Sequence, residues 1–145
     1  MFSVTGTKAK HGALFAGTLA VTVGFFVTIA TADEHYPTEH KGLEVEQLGV
    51  VPADSMTRQV GLDGRILLAR RITIMPGGQI AKHSHESVPG IVFMESGTWI
   101  EGTDSGETAH SAGDTFIEDA DTTHWFFNRG DAPASALVFD IKPSG

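Results

Sequence analysis

His83-Ser84-His85 sets two imidazoles one residue apart, and His124 adds a third further along the chain. Side chains alternate along an extended strand, so residues i and i+2 share a face. On one strand His83 and His85 therefore point the same way, and His124 on a later strand could complete one face of a metal site. Neutral imidazole suits divalent transition metals, iron, zinc and nickel among them. The 145-residue chain has no cysteine. Thiolate ligands, a cysteine nucleophile and disulfide staples are thereby excluded, and any metal must be held by histidine, carboxylate or water.

The elements that would carry these histidines read as strands. Leu43–Leu48 is a first candidate, and Ile66–Met75 is long and β-branched, ended by the turn residues Pro76-Gly77-Gly78. Further strands are expected over 79–85, 90–95, 98–101, 114–118, 123–128 and 136–141. Ser96-Gly97, Asp104-Ser105-Gly106, Ala112-Gly113 and Arg129-Gly130-Asp131 punctuate them. Many short strands at regular spacing, with no long helical period, indicate an all-β sandwich or barrel.

The N-terminus has a different character. Lys8 and Lys10 precede an uncharged run from Gly12 to Ala32, which closes on Ala30-Thr31-Ala32 before Asp33-Glu34. A basic region, an apolar stretch and a small-x-small site are the layout of a secretory signal peptide. Residues 1–32 are therefore expected to direct export, with a retained membrane anchor as the alternative, since the run is long enough to span a bilayer. Residues 33–42 read as a polar arm or linker and 43–145 as the folded domain. The domain is then secreted, by expectation periplasmic, and free of the membrane once the signal is cleaved. Without Lys8 and Lys10, eight basic residues face eighteen acidic ones, a net charge of −10. So acidic a surface repels phosphate backbones, which argues against nucleic acid as a partner.

Two spaced motifs carry a family resemblance. Gly77, His83, His85 and Gly97 match a glycine, five residues, His-x-His and a later glycine; Gly113, His124 and Asn128 match a second glycine–histidine–asparagine pattern. The chain resembles a small single-domain cupin, which implies a jelly-roll β-barrel with one divalent metal held by His83, His85 and His124. Two positions depart from the pattern. Asp119-Ala120-Asp121 stands where the second motif has Pro-x-Gly, and these residues also suit a turn. The first motif's glutamate falls on Pro89 or Gly90, neither of which has a ligating side chain.

That loss leaves three readings open. The three histidines could form a facial site with water or substrate in the glutamate's place, resembling the three-histidine cupin oxygenases that use ferrous iron. Glu86 could supply the oxygen instead, if the strand ends there. The site could also have decayed, leaving a binding module or a structural remnant. Iron(II) suits a facial site with open positions, and zinc, manganese and nickel are the other candidates. The resemblance thus implies an iron-dependent dioxygenase acting on a small anionic substrate. A redox-neutral lyase or isomerase and a non-catalytic metal- or small-ligand-binding module are the alternatives, and a homodimer is the family's common assembly.

Other residues carry weaker signals. Arg70 and Arg71 must face opposite sides of one strand, so one could reach a substrate carboxylate. Gly90, Val92 and Met94 share a face, which suggests an apolar cavity beside the site. Phe126, Trp99 and Trp125 read as packing residues, and Asn128 as an amide that supports the histidines or fixes a loop. Glu101 and Glu118 are candidate acids or bases that the sequence leaves unplaced. His35, His40 and His110 read as surface or hydrogen-bonded core residues, and Tyr36 lies in the arm. There is no Gly-rich phosphate loop and no Gly-x-Ser-x-Gly elbow.

Overall fold

Among the described residues, short β-branched runs between glycine turns fold into eight antiparallel strands and one short helix. The structure, a computed structural model, describes residues 36–145. The expected signal peptide, the start of the arm and His35 lie outside the described residues. The elements are β1 (Lys41–Val51), α1 (Ala53–Val60), β2 (Arg65–Ser84), β3 (Gly90–Ser96), β4 (Thr98–Thr103), β5 (Gly106–Ser111), β6 (Thr115–Glu118), β7 (Thr123–Phe127) and β8 (Ala134–Pro143). They form one sheet in the order β5-β4-β7-β2-β8-β3-β6, with β1 also paired to β2, and the sheet curls into a nearly closed barrel.

Strand β2 organises the rest. The sequence suggests two strands broken at Pro76-Gly77-Gly78, whereas the structure carries one ladder through twenty residues. Gly77 makes this feasible because it takes φ +69°, a left-handed conformation costly for other residues. The kink stays bonded to β7's end, with Gly77 N–H donating to Asn128 O at 2.9 Å and Asn128 N–H to Gly78 O at 3.1 Å. Before the kink β2 pairs with β1 and β8; after it, with β7, apart from one pair to β1, Lys41 with Gln79. One strand thus turns the corner between the two faces of the barrel.

Two elements escape the sequence pattern. β5 is polar and mostly exposed, an edge strand with no apolar alternation. α1 buries only Met56, so it shows no apolar stripe. Its signal lay in its ends: Pro52 at the start and Gly61 at the close, φ +69°, donating to Thr57 O at 3.0 Å.

Residues 36–40 lie along β2. Pro37 is buried and accepts from Lys82 N–H at 2.9 Å, Glu39 O accepts from Gln79 Nε2, and His40 Nδ1 accepts from Ala81 N–H. Tyr36 packs against Trp125 with ring centroids 5.6 Å apart, and Lys82 Nζ sits 4.3 Å from the Tyr36 ring.

Alternation along the strands builds the core. Val92 and Met94 turn inward on β3 while Ile91 and Phe93 are exposed; on β8, Ala134, Ala136 and Val138 turn inward. They meet Ile72, Ile74, Ile80, Trp99 and Phe126. Trp99 Nε1–H donates to Ala134 O, so its one polar atom is satisfied. Asn128 is the polar fixture of this core. Its Nδ2 donates to Ile74 O and Ala132 O, both at 2.8 Å, and its Oδ1 accepts from Gly130 N–H. Of the two roles the sequence left open, the structure gives it the loop-fixing one. Asn128→Ala strands two carbonyls and is expected to cost about 2–3 kcal/mol, read as a lower denaturation midpoint with an unchanged m-value.

Candidate metal centre

His83 and His124 face each other directly across the β2–β7 ladder. His85 follows just past the end of β2, where its N–H still donates to Thr122 O at 2.9 Å and holds the extended course. The i, i+2 relation and one cross-strand pair therefore gather all three rings, with centroids 4.7–5.0 Å apart. One ligating atom from each lies within 4.8 Å of the others. The sequence pattern predicted this trio, and the structure brings it together.

Each ring is anchored through Nδ1. His83 Nδ1 contacts Ala81 O, and His85 Nδ1 contacts Val88 O, each at 2.8 Å. A carbonyl only accepts, so both Nδ1 atoms carry the proton and both Nε2 atoms keep a lone pair. His124 Nδ1 meets Glu101 Oε1 at 2.6 Å, and Glu101 takes a second bond from His110 Nε2 at 2.8 Å. These two bonds, His124's first, hold the Glu101 carboxyl below its ordinary range, so it accepts and His124 Nδ1 donates. Such outer partners fix tautomer and orientation in metal-bound histidines. Burial pushes the His83 imidazole down to about 4 and lowers that of His85 as well, keeping both neutral.

The site has the orphaned atoms that a metal would satisfy. His85 Nε2, His124 Nε2 and Glu118 Oε2 are buried without a hydrogen-bond partner, where buried polar atoms are ordinarily paired. Three ring nitrogens converging on one point, each opposite an Nδ1 held by an acceptor, fit a divalent transition metal.

Glu118, like Glu101, is a residue that sequence reasoning left unplaced. It is 4% exposed, and its Oε1 stands 3.6 Å from His85 Nε2 and 3.5 Å from His124 Nε2. Burial, and then the nearby Asp140 carboxylate, push its carboxyl up to about 8. Glu86, the alternative oxygen donor, lies exposed in the turn after His85 and outside the histidine group. The strand ends before it, at Ser84, as that reading required, but the turn leaves Glu86 exposed. Asp140 went unnoticed in the sequence, although its register with inward Ala134, Ala136 and Val138 marks it as inward too. Asp119, in place of the motif proline, closes the next turn by accepting from Thr122 N–H and Asp121 N–H.

The histidines open onto a cavity of about 380 Å³. Leu43, Ile72, Ile80, Phe126 and Val138 make its wall largely apolar, while Arg70 and Lys142 bring positive charge. Arg70 is the inward member of the arginine pair. It binds Asp140, and its buried Nε has no partner. Arg71 faces outward to Glu95 at 2.7 Å and Glu46 at 2.6 Å.

Residues 70–140 match the family model for the cupin domain. The barrel is a cupin domain. Among curated proteins it is similar to germin-like protein 8-14 of Oryza sativa subsp. japonica, 31% identical over 90 residues. That match covers 58% of this chain and 42% of the rice protein, so the chain spans less than half of that relative's length. Among solved structures it resembles the polyketide cyclase RemF of Streptomyces resistomycificus (TM-score 0.56, 18% identity, 77% of this chain and 70% of that one). It also resembles a protein described as a predicted oxalate decarboxylase from Thermotoga maritima (TM-score 0.55, 19% identity, 74% and 94%). At such identities these likenesses show the jelly-roll fold alone. Within this cupin, the vacant motif position is Gly90, and Glu118's carboxylate occupies the space beside it: a Cβ built on Gly90 would lie 2.6 Å from Glu118 Oε2.

The perturbed groups predict a pH signature for the metal-free protein. Glu118's pKa is raised on folding, so its contribution is present at low pH and lost as pH rises from about 4.5 toward about 8. His83's pKa is lowered, so its contribution is lost as pH falls from 6.5 toward about 4. Between pH 6.5 and 8 only the Glu118 loss operates of these two. Thermal melts with chelator are expected to show the midpoint falling over that range, and Glu118→Gln to flatten the fall.

Proposed function

We propose that this protein is an exported, metal-dependent cupin enzyme acting on a small anionic substrate. The observation that carries the reading is the convergence of orphaned histidine nitrogens on a mostly apolar cavity whose wall holds the unpartnered Nε–H of Arg70. Arg70 and Lys142 bring positive charge to a cavity that also holds Asp140, to which Arg70 is bound, and Glu118. An apolar wall weakens solvent screening, so one charge-assisted bond from Arg70 both binds and orients a carboxylate or enolate oxygen. His83, His85 and His124 would hold the metal, and ferrous iron is the ion we favour. Bound there, iron supplies an electron source for dioxygen and a Lewis acid for the substrate oxygen. Glu101 keeps His124 aligned, and the apolar residues exclude water from the reacting atoms. On this reading the reaction is a dioxygenation, carried out in the periplasm, and a homodimer is the assembly we expect.

One observation favours a redox-neutral second reading. Asp140 Oδ1 is buried without a partner while Arg70 secures the other oxygen. A carboxylate so oriented can accept a proton from substrate and return it, the step that a lyase or isomerase requires.

Metal analysis of the protein purified without chelator or affinity tag tests the reading. About one equivalent of iron, absent from the His83→Ala/His124→Ala variant, together with oxygen uptake on a carboxylate panel, is the expected result. Turnover in the absence of oxygen would replace dioxygenation with the redox-neutral reading. No metal in the wild type, even after reloading, would sink both. Arg70→Lys keeps the charge beside Asp140 but loses the planar fork, and is expected to raise KM about tenfold, on the order of one charge-assisted bond, with metal content unchanged.

A further inference from the structure

We propose that Glu118 is the fourth metal ligand, reaching from β6 into the side-chain space that Gly90 leaves open on β3. The inference rests on the metal-site reading above and extends it to a residue outside the first histidine motif.

The register puts the two positions side by side. Gly90 pairs with Glu118 on one flank and with Asp140 on the other, so the three lie in one row across β6, β3 and β8. Alternation turns all three inward. The middle member has no side chain, and both neighbouring carboxylates lean over it. A Cβ on Gly90 would come within 2.6 Å of Glu118 Oε2 and 3.0 Å of Asp140 Oδ1. A glutamate at 90 and a glutamate at 118 therefore cannot both fill this volume. The chain keeps the one on β6.

Distances fit coordination. Donors about 2.1 Å from a shared ion stand roughly 3.0 Å apart at right angles and roughly 3.4 Å apart at the tetrahedral angle. Glu118 Oε1 lies 3.6 and 3.5 Å from the Nε2 atoms of His85 and His124, and no hydrogen bond joins them. Other nearby carboxylates are engaged or turned away. Glu101 is held at the far side of His124 by two histidines, Glu95 faces Arg71 outside the barrel, and Glu86 is exposed; Asp140 keeps Oδ1 unpartnered while Arg70 holds Oδ2, but it forms no pair within 4 Å of a histidine nitrogen. Among the described residues, Glu118 is the carboxylate that brings an oxygen within 4 Å of two histidine Nε2 atoms. A buried carboxylate with one oxygen unpartnered is thus set against two buried, unpartnered nitrogens.

The test is a titration of metal-free protein with Co(II) alone, following affinity by chelator competition and coordination by the visible ligand-field bands. Wild type is expected to take up one equivalent. Glu118→Gln should bind about a hundredfold more weakly, at or beyond the roughly 10–100-fold typical of losing a hydrogen-bond partner of a ligand, and its bands should change in position and intensity. Glu118→Asp keeps the charge but shortens the reach, so a ligand role places its affinity between the two. Glu107→Gln, a surface carboxylate paired with Arg129, should match wild type. The metal-free Glu118→Gln protein should melt at or above the wild-type temperature at pH 8, which shows that the fold is intact. Unaltered affinity and bands in Glu118→Gln, or wild-type behaviour in Glu118→Asp, would overturn the proposal and leave the three-histidine site standing. Failure of the wild type to bind Co(II) at all would remove the metal reading and this proposal together.

Discussion

Three imidazoles whose Nδ1 atoms are tied to the protein, and whose Nε2 atoms are left to face one another inside a barrel, set the terms for the rest of this structure. A buried polar atom without a partner costs about 1–3 kcal/mol, and three such atoms stand together here, on His85, His124 and Glu118. The surrounding fold must offset that cost. It does so with an apolar core of Ile72, Ile74, Val92, Met94, Trp99 and Phe126, and with polar fixtures such as Asn128 whose bonds are complete.

Strand β2 explains how a chain without disulfides holds such a site rigid. It supplies His83 and the inward Arg70, and it leads directly into His85, so the histidine pair and the cavity's arginine are positioned by one strand and its immediate continuation. The kink at Gly77 lets that ladder leave β8 and join β7, which brings His124 opposite His83. His124 is in turn stiffened from β4 through Glu101 and from β5 through His110. Four strands therefore converge on the three rings, and a displacement of any one would be felt at the metal position.

The row Glu118–Gly90–Asp140 shows how one barrel position can be emptied and its volume taken by neighbours. Glycine at 90 is more than the absence of a ligand, because it gives the room that lets two carboxylates approach from adjacent strands. Burial, and then the Asp140 charge, raise Glu118's proton affinity, and the nearby Arg70 charge offsets part of this. Charge, register and side-chain volume are thus coupled at one point of the sheet.

Local spacing determined what could be read directly. His83 and His85 share a face because strands alternate with period two, and most strands showed themselves as β-branched runs between glycine turns. β5 and α1 lacked such an apolar period, and the kink at Gly77 looked like a strand end because a turn and a bonded bend use the same residues. Charge and cysteine content also needed no coordinates to argue against nucleic acid and to exclude thiolate chemistry. Tertiary structure decided which carboxylates belong to the site. Glu101, Glu118 and Asp140 sit on three different strands, and each reaches the histidines or the cavity through cross-strand register. Register is a non-local property, set by how the whole sheet closes, so no spacing within a single strand could have revealed it.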